Sequence, residues 1–343
     1  MVQHQTYMRR CLELASTASG YAAPNPMVGA VAVHEGRIIG EGFHRQYGEP
    51  HAEVNAIRSV REKKLLERST LYVNLEPCSH YGKTPPCAEM IIAARIPHVV
   101  VGSVDPNPKV SGKGIAKLRD AGCHVTEHVL EAECDRLNIR FMTYHRKHRP
   151  YITLKWAQTA DGFIDVVRDR NVVGRPTWIT GWYEQTLVHK WRSEEQAVMV
   201  GANTALADNP MLNIRRWHGR QPLRVVLDRQ LRLPASLHLF DGSQPTLVFT
   251  DGIANTVRRD SVTPPLRRRG GRGVRLAAVP FDEQLPHHIL DELYRRKITS
   301  VLIEGGTQLL QTFIDAGLWD EMRVFKGTAV FGDGVKAPEI KVP

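Results

Sequence analysis

The feature that most constrains this chain is a set of metal-binding residue types held in two short stretches. The first is His51-Ala52-Glu53; the second runs from Glu76-Pro77-Cys78 through Ser79-His80-Tyr81-Gly82-Lys83-Thr84-Pro85-Pro86 to Cys87. One imidazole and two thiols match a catalytic zinc site, in which three protein ligands leave one tetrahedral position open for water. A zinc ion lowers the pKa of that water toward neutrality and makes hydroxide available at physiological pH. Glu53, two residues after the imidazole, is then the group expected to move protons. Any fold for this chain must bring His51, Cys78 and Cys87 to one point.

The sequence has 343 residues, enough for two domains with separate cores. Its five cysteines, Cys11, Cys78, Cys87, Cys123 and Cys134, are odd in number and sparse, so no disulfide framework is expected. Cys11, Cys123 and Cys134 read as small buried or half-buried hydrophobes. No apolar run approaches the roughly 18 residues of a membrane span, and Met1 to Arg10 lacks the apolar core of a signal peptide. A cytoplasmic protein is expected. The net charge of +10 would suit nucleic acid, and equally phosphorylated metabolites and a phosphorylated cofactor. The densest basic cluster, Arg267-Arg268-Arg269-Gly270-Gly271-Arg272, has no interleaved aromatics on which bases could stack and reads as a solvated loop.

Apolar spacing at Tyr7, Met8, Cys11, Leu12 and Ala15 predicts an amphipathic helix near residues 4–18. Ala23-Pro24-Asn25-Pro26 ends it, and Val28 to Val33 with Ile38 to Phe43 reads as a hairpin about Glu35-Gly36. A helix from Glu49 to about Val60, with Pro50 near its first turn, would place His51 and Glu53 at a helix start. Leu71 to Leu75 is a strand, Cys87 to Ala94 a helix and Val99 to Val104 a strand, so both metal-bearing turns should lie at helix N-termini on one edge of a sheet. Asp105-Pro106-Asn107-Pro108 and Ser111-Gly112-Lys113-Gly114 form a loop at a strand's carboxyl end, where open α/β sheets bind ligands. Lys117 to Ala121 should be helical, Val125 a short strand, and Leu130 to about Tyr144 one longer helix.

The basic, proline-closed segment His145 to Pro150 marks a domain boundary, giving residues 1–148 and 149–343. Beyond it, strands are expected at Tyr151 to Lys155, Ala197 to Val200, Leu223 to Leu227, Thr246 to Phe249 and Ser300 to Ile303. Helical segments are expected at Leu187 to Arg192, Leu285 to Arg296 and Thr307 to Ala316, which together imply a second α/β architecture. No Gly-x-Gly-x-x-Gly is present; Glu304-Gly305-Gly306-Thr307, between a strand and a helix, is the one candidate for phosphate approaching backbone. Lys155 is read as ending a strand and pointing toward Asp161-Gly162, with Gly201 to Thr204 and Ala207 to Pro210 as a polar loop.

His-x-Glu followed by Pro-Cys is the pattern of zinc deaminases of nitrogen heterocycles, where the glutamate is acid and base rather than ligand. Here eight residues separate the cysteines instead of two, so a loop carrying His80 and Lys83 should lie beside the open position. These stretches, with Pro24-Asn25-Pro26-Met27-Val28-Gly29-Ala30-Val31 and Asp105-Pro106-Asn107-Pro108, resemble the bifunctional riboflavin-biosynthesis deaminase/reductase family. In the second half the resemblance rests on Leu154-Lys155, Asp161-Gly162, Trp178-Ile179-Thr180, Val200-Gly201, Leu206-Ala207-Asp208-Asn209-Pro210 and Glu304-Gly305-Gly306. The eight-residue gap is that family's form of the motif.

The resemblance implies a cytidine-deaminase-like three-layer α/β/α domain followed by a dihydrofolate-reductase-like α/β domain. It implies one Zn2+ per chain on His51, Cys78 and Cys87, with Glu53 catalytic and with Asn25, His44, His80, Lys83 and Asn107 binding the deaminase substrate. For the reductase it implies NADPH at Gln158, Trp178, Thr204, Asp208, Gly305 and Gly306, and substrate at Lys155, Arg192, Leu212, Arg215 and Glu304. The implied partners are a phosphorylated pyrimidine and NADPH, with neither nucleic acid nor membrane, in a homo-oligomer. Two departures from the family stand out: Pro176 where many relatives are polar, and an end at Val342-Pro343 where many continue with another strand. Two other functions fit parts of the pattern. One is a zinc deaminase of nucleic-acid bases with a C-terminal binding module; the other is a catalytically silent assembly protein.

Overall fold

The computed structural model describes residues 2–81, 85–108, 110–168, 174, 176–251 and 273–340. The chain divides into two compact units, Met1–Lys147 and His148–Pro343.

In the first unit, β1 (Gly29–His34), β2 (Arg37–Phe43), β3 (Thr70–Leu75), β4 (His98–Ser103) and β5 (His124–Thr126) form one sheet in the order β2-β1-β3-β4-β5. The pairings of β1 with β2 and with β3 are antiparallel, while β3, β4 and β5 run parallel. Successive strand side chains point to opposite faces, and here both faces are apolar. Ala30, Ala32, Leu71, Val73, Val99 and Val101 face α2 (Ala52–Ser59), α3 (Cys87–Ala93) and α4 (Lys113–Asp120). Val31, Val33, Tyr72 and Val100 face α1 (Val2–Ser16) and α5 (Glu131–Leu137). A sheet apolar on both sides must be covered on both, which produces three layers.

Some elements differ from expectation. The helix expected over Leu130 to Tyr144 is two, α5 and α6 (Ile139–Lys147), parted at Asn138, whose φ of −101° and ψ of 23° leave the helical range. Its side chain is held by the loop before β1: Oδ1 accepts from the Met27 amide at 2.7 Å and Nδ2 donates to the Met27 carbonyl at 2.9 Å. Helix α2 begins at Ala52 rather than Glu49, because His51 is extended (φ −69°, ψ 166°) and serves as its N-cap. The metal-bearing turn that carries Cys78 follows the carboxyl end of β3, the central strand of the sheet.

The second unit has a seven-stranded sheet in the order β11-β10-β9-β8-β12-β6-β13. Its strands are β6 (Tyr151–Gln158), β8 (Ala197–Gly201), β9 (Leu223–Leu227), β10 (Thr246–Asp251), β11 (Val274–Val279), β12 (Ser300–Glu304) and β13 (Glu321–Lys326), and β7 (Phe163–Asp165) pairs separately with β14 (Val335–Lys336). Each neighbouring pair in the large sheet is parallel. The helices are α7 (Trp182–Glu194), α8 (Ala202–Asp208), α9 (Leu285–Arg295) and α10 (Thr307–Asp315). One face packs Ile152, Leu154, Met199, Val225, Phe249 and Ile303 against α9 and α10. Burying Leu309, Leu310 and Phe313 of α10 contributes about 1.5–3 kcal/mol each. The other face packs Val198, Val200, Val226 and Leu302 against Ala205 of α8 and Leu212, Leu233 and Leu237.

Here too the structure corrects the sequence reading. Strand β6 continues to Gln158, so Lys155 sits in mid-strand, opposite Glu304 of β12 and Arg323 of β13, rather than at an end facing Asp161. Asp161 instead accepts from the Thr159 hydroxyl and the Phe331 and Gly332 amides. The expected polar loop between Gly201 and Pro210 is largely helix α8. Strands β11 and β13 were not expected: their exposed, charged positions blur the apolar run that reveals a buried strand. The Arg267 to Arg272 cluster and Val342-Pro343 lie outside the described residues.

Candidate functional site

The loop after β3, the N-cap of α2 and the first residue of α3 meet at one point. His51 makes no capping bond through its side chain, which is turned to the thiols. Its Nδ1 lies 3.6 Å from Cys78 Sγ and 3.3 Å from Cys87 Sγ, and the Cys87 amide donates to Cys78 Sγ at 3.3 Å. The three ligand atoms lie within 4.8 Å of one another. Tetrahedral zinc with Zn–S of about 2.3 Å and Zn–N of about 2.0 Å would hold sulfur and nitrogen roughly 3.6 Å apart, so the donor set fits the ion in type and spacing. A side-chain hydrogen bond from the Cys87 thiol, aided by His51, holds the Cys78 thiol far below its ordinary range, and the same thiol–thiol bond pushes Cys87 up. Hydrogen bonding to Cys78 raises His51.

Glu53, in the first turn of α2, is 3% exposed. Burial, and then the charge on Cys78, pushes its carboxyl up to about 7. Below the site, the Glu76 carboxylate accepts from four amides: Asp105 at 3.2 Å, Gly112 at 2.9 Å, Gly114 at 2.8 Å and Ile115 at 3.3 Å. It thereby ties the end of β3 to the ligand-type loop and to the start of α4. A Cβ on Gly114 would stand 1.9 Å from the Pro77 carbonyl oxygen, so only glycine lets α4 approach the turn that carries Cys78. Asp105 accepts from the Asn107 amide at 2.8 Å, and burial pushes its carboxyl up to about 6. Glu76 stood in the motif, but its role as an amide anchor had no sequence signal.

Of the remaining predicted groups of this unit, Asn25, His44, His80 and Asn107 lie nearby. Asn25 Nδ2 and His44 Nε2 lie 3.1 Å apart, and the His44 ring stands edge-on to His51 with centroids 5.4 Å apart. His80 is exposed but close enough to favour the charged form of Asp105. Lys83 lies outside the described residues.

In the second unit a cavity of about 1050 Å³ opens at the carboxyl ends of the parallel strands, where an α/β sheet places its ligands. Lys155, Trp178, Arg192, Thr204, Asp208, Leu212, Arg215, Glu304, Gly305 and Gly306 all reach it. Gln158 is not on its wall; its Oε1 instead accepts from Trp156 Nε1 at 2.8 Å. Arg192 of α7 grips Glu304 at 2.7 and 2.8 Å and also donates to the Asn213 carbonyl at 3.1 Å. Burial lowers the Lys155 ammonium, against the opposing pull of Glu304. Gly305 has φ of +115° and Gly306 donates its amide to Thr204 Oγ1 at 2.8 Å, which fixes an open turn before α10. Its bare backbone at a helix start suits a dinucleotide phosphate without the usual glycine fingerprint.

Sequence reasoning missed part of this wall. Arg168 donates to Asp165 at 2.7 Å and Thr177 at 2.8 Å, and lies 3.6 Å from Asp208, whose carboxyl burial pushes up to about 6. Nothing in the run around Arg168 signals this network. His189 also lines the cavity; its place one helical turn before Arg192 was the available clue.

Comparisons with known proteins agree with both sites. Residues 1–103 match the cytidine and deoxycytidylate deaminase zinc-binding region, and residues 150–340 match the RibD C-terminal domain. Riboflavin biosynthesis protein RibD of Aquifex aeolicus is 39% identical over 340 residues, 98% of this chain and 90% of that protein. The chain belongs to the RibD family. The RibD of Escherichia coli is 34% identical, covering 98% of this chain and 90% of its own length. The Thermotoga maritima structure of a diaminohydroxyphosphoribosylaminopyrimidine deaminase/5-amino-6-(5-phosphoribosylamino)uracil reductase is 42% identical with a TM-score of 0.84, over 97% of this chain and 89% of that one. Acinetobacter baumannii RibD, form 1, gives 35% identity and a TM-score of 0.85, over 98% and 89%. As a RibD, the chain is a bifunctional deaminase and reductase of riboflavin biosynthesis, using zinc and NADPH. Its fold is the cytidine-deaminase-like domain followed by the dihydrofolate-reductase-like domain that the sequence led us to expect.

Proposed function

We propose that residues 1–148 deaminate 2,5-diamino-6-ribosylamino-4(3H)-pyrimidinone 5′-phosphate and that residues 149–343 then reduce its ribosyl group to a ribityl chain. The observation that carries this reading is the convergence of His51 Nδ1 and two thiols beside a buried glutamate. His51, Cys78 and Cys87 would hold the zinc ion, which supplies a Lewis acid that makes water a better nucleophile near neutral pH. Glu53, whose carboxyl is pushed up to about 7, is matched to carrying the attacking water's proton to the ring nitrogen and then the proton of the new carbon-bound hydroxyl to the amino group, which leaves as ammonia as the carbonyl forms. Asn25, His44, His80, Lys83 and Asn107 are assigned to the base and its ribosyl phosphate.

In the second site Thr204, Asp208, Gly305, Gly306 and Trp178 are assigned to NADPH, which supplies the hydride when bound. Gln158 is not among them, since it lies off the cavity wall with its side chain taken by Trp156 and its carbonyl accepting from the Gly327 amide. Arg215, Arg192, Leu212, Lys155 and Glu304 are assigned to the phosphorylated substrate, the guanidinium groups pairing with phosphate. Because Arg192 is gripped by Glu304, its charge is partly neutralised, and Arg215 is the more available of the two.

The partners are therefore small phosphorylated molecules, not nucleic acid; weak, salt-insensitive retention of tRNA in filter binding would agree, and tight salt-dependent binding would not. We further assign a homo-oligomer, for which the exposed Trp182 and Tyr183 at the start of α7 offer surface, and a cytoplasmic location. Among the described residues, no helix is long and apolar enough to cross a membrane. The decisive assay supplies the diaminopyrimidine ribosyl phosphate with and without NADPH and follows ammonia and NADPH absorbance together. Ammonia in both arms and NADPH loss in one is expected; tRNA deamination without either would support the runner-up activity.

A further inference from the structure

His189 belongs to the cavity wall in a way that differs from its neighbours. Its side chain is 3% exposed, yet it lines the cavity, one helical turn from Arg192 on the same face of α7. Nδ1 lies 2.7 Å from the Asn213 carbonyl oxygen. A carbonyl only accepts, so Nδ1 carries the proton and Nε2 keeps its lone pair whenever the ring is neutral. Burial, and then the charges of Arg192 and Arg215, hold the ring neutral down to about pH 4. Among the described residues Nε2 meets no protein partner, and it is not sealed from solvent. Of the cations beside it, Arg192 is held by Glu304 and Asn213, while Arg215 makes a neutral contact with Asn213 Oδ1 at 2.9 Å. The Asn213 carbonyl receives both His189 and Arg192, so one backbone group sets the tautomer of the ring and the position of the guanidinium.

A lone pair on an imidazole repels phosphate oxygens and accepts from hydroxyl or N–H groups. The arginines beside it have the opposite preference. We propose that His189 is a substrate contact of the reductase site, accepting through Nε2 a hydrogen bond from a hydroxyl of the ribosyl chain while its phosphate lies with Arg192 and Arg215. This rests on the assignment of the cavity to reduction of a ribosyl phosphate, and it adds the group that distinguishes the sugar's hydroxyls from its phosphate. No electron or proton transfer is required of His189; it holds the chain in register with the cofactor.

Two variants separate contact from support. His189→Asn keeps an amide N–H in reach of the Asn213 carbonyl but has no acceptor at the place of Nε2; His189→Gln puts an amide oxygen there. Steady-state kinetics with 5-amino-6-(5-phosphoribosylamino)uracil and NADPH should show KM for the uracil substrate raised about 10-fold in His189→Asn and within about 3-fold of wild type in His189→Gln. KM for NADPH and the rate of ammonia release in the first step should stay unchanged. An unaltered substrate KM in His189→Asn, equal loss in both variants, or a parallel rise in KM for NADPH would overturn the proposal. Wild-type protein that fails to oxidise NADPH with this substrate would instead remove the reductase reading of the cavity itself.

Discussion

Glu53 shows how a single position can be set for proton transfer by its surroundings: the same burial that seals it from water raises its carboxyl into the range where it can both take and give a proton. Glu53→Gln preserves shape and leaves the imidazole and both thiols in place. It should keep about one zinc per chain by elemental analysis while ammonia release falls on the order of 10²–10⁴-fold; release at the wild-type rate would sink the assignment. His189 yields a pH prediction. Its folded value of about 4 is below the ordinary 6.5, so the unfolded chain binds the extra proton first. The stability linked to a neutral ring is complete above about pH 6.5 and is lost as pH falls toward 4. Thermal melting should therefore show His189→Asn losing less stability than wild type between pH 7.5 and 5.

At the scale of elements, both sites depend on turns that lock a strand to a helix start. Glu76 binds the loop and first turn of α4 with one carboxylate, and Glu76→Gln would set an amide group against two of the donors. Denaturant midpoints should report a loss of about 2–4 kcal/mol in this unit, together with weaker zinc retention. At α10 a methyl group on Gly305 would stand 2.8 Å from Thr204 Oγ1 in a backbone of positive φ. Gly305→Ala should raise KM for NADPH several-fold and leave ammonia release intact; loss of both activities would mean that the turn supports the whole chain. Strand positions were legible where apolar runs were clean, as at Leu223–Leu227, and illegible where charges interrupt them, as in β13. The break between α5 and α6 was invisible because its cause, Met27, lies 111 residues away.

For the molecule as a whole, two compact units with separate sites predict separable activities. Chelation of zinc should abolish ammonia release while the supplied uracil intermediate is still reduced with NADPH. Asp208→Ala should do the reverse, lowering NADPH consumption by about 10-fold or more and sparing deamination. Equal loss of both activities in either experiment would contradict independent sites.

The sequence by itself determined the donor set His51, Cys78 and Cys87, the neighbouring glutamate, the alternation of strand and helix and the restart after the basic segment, because these are local in spacing and periodicity. Only tertiary structure decided that Lys155 faces Glu304 from mid-strand, that Glu76 anchors four amides, and that His189 keeps an acceptor on a cavity wall. Those facts depend on strand order and on contacts between residues far apart in the chain. Parallel sheets make such contacts through crossovers, and no local pattern records which strands become neighbours.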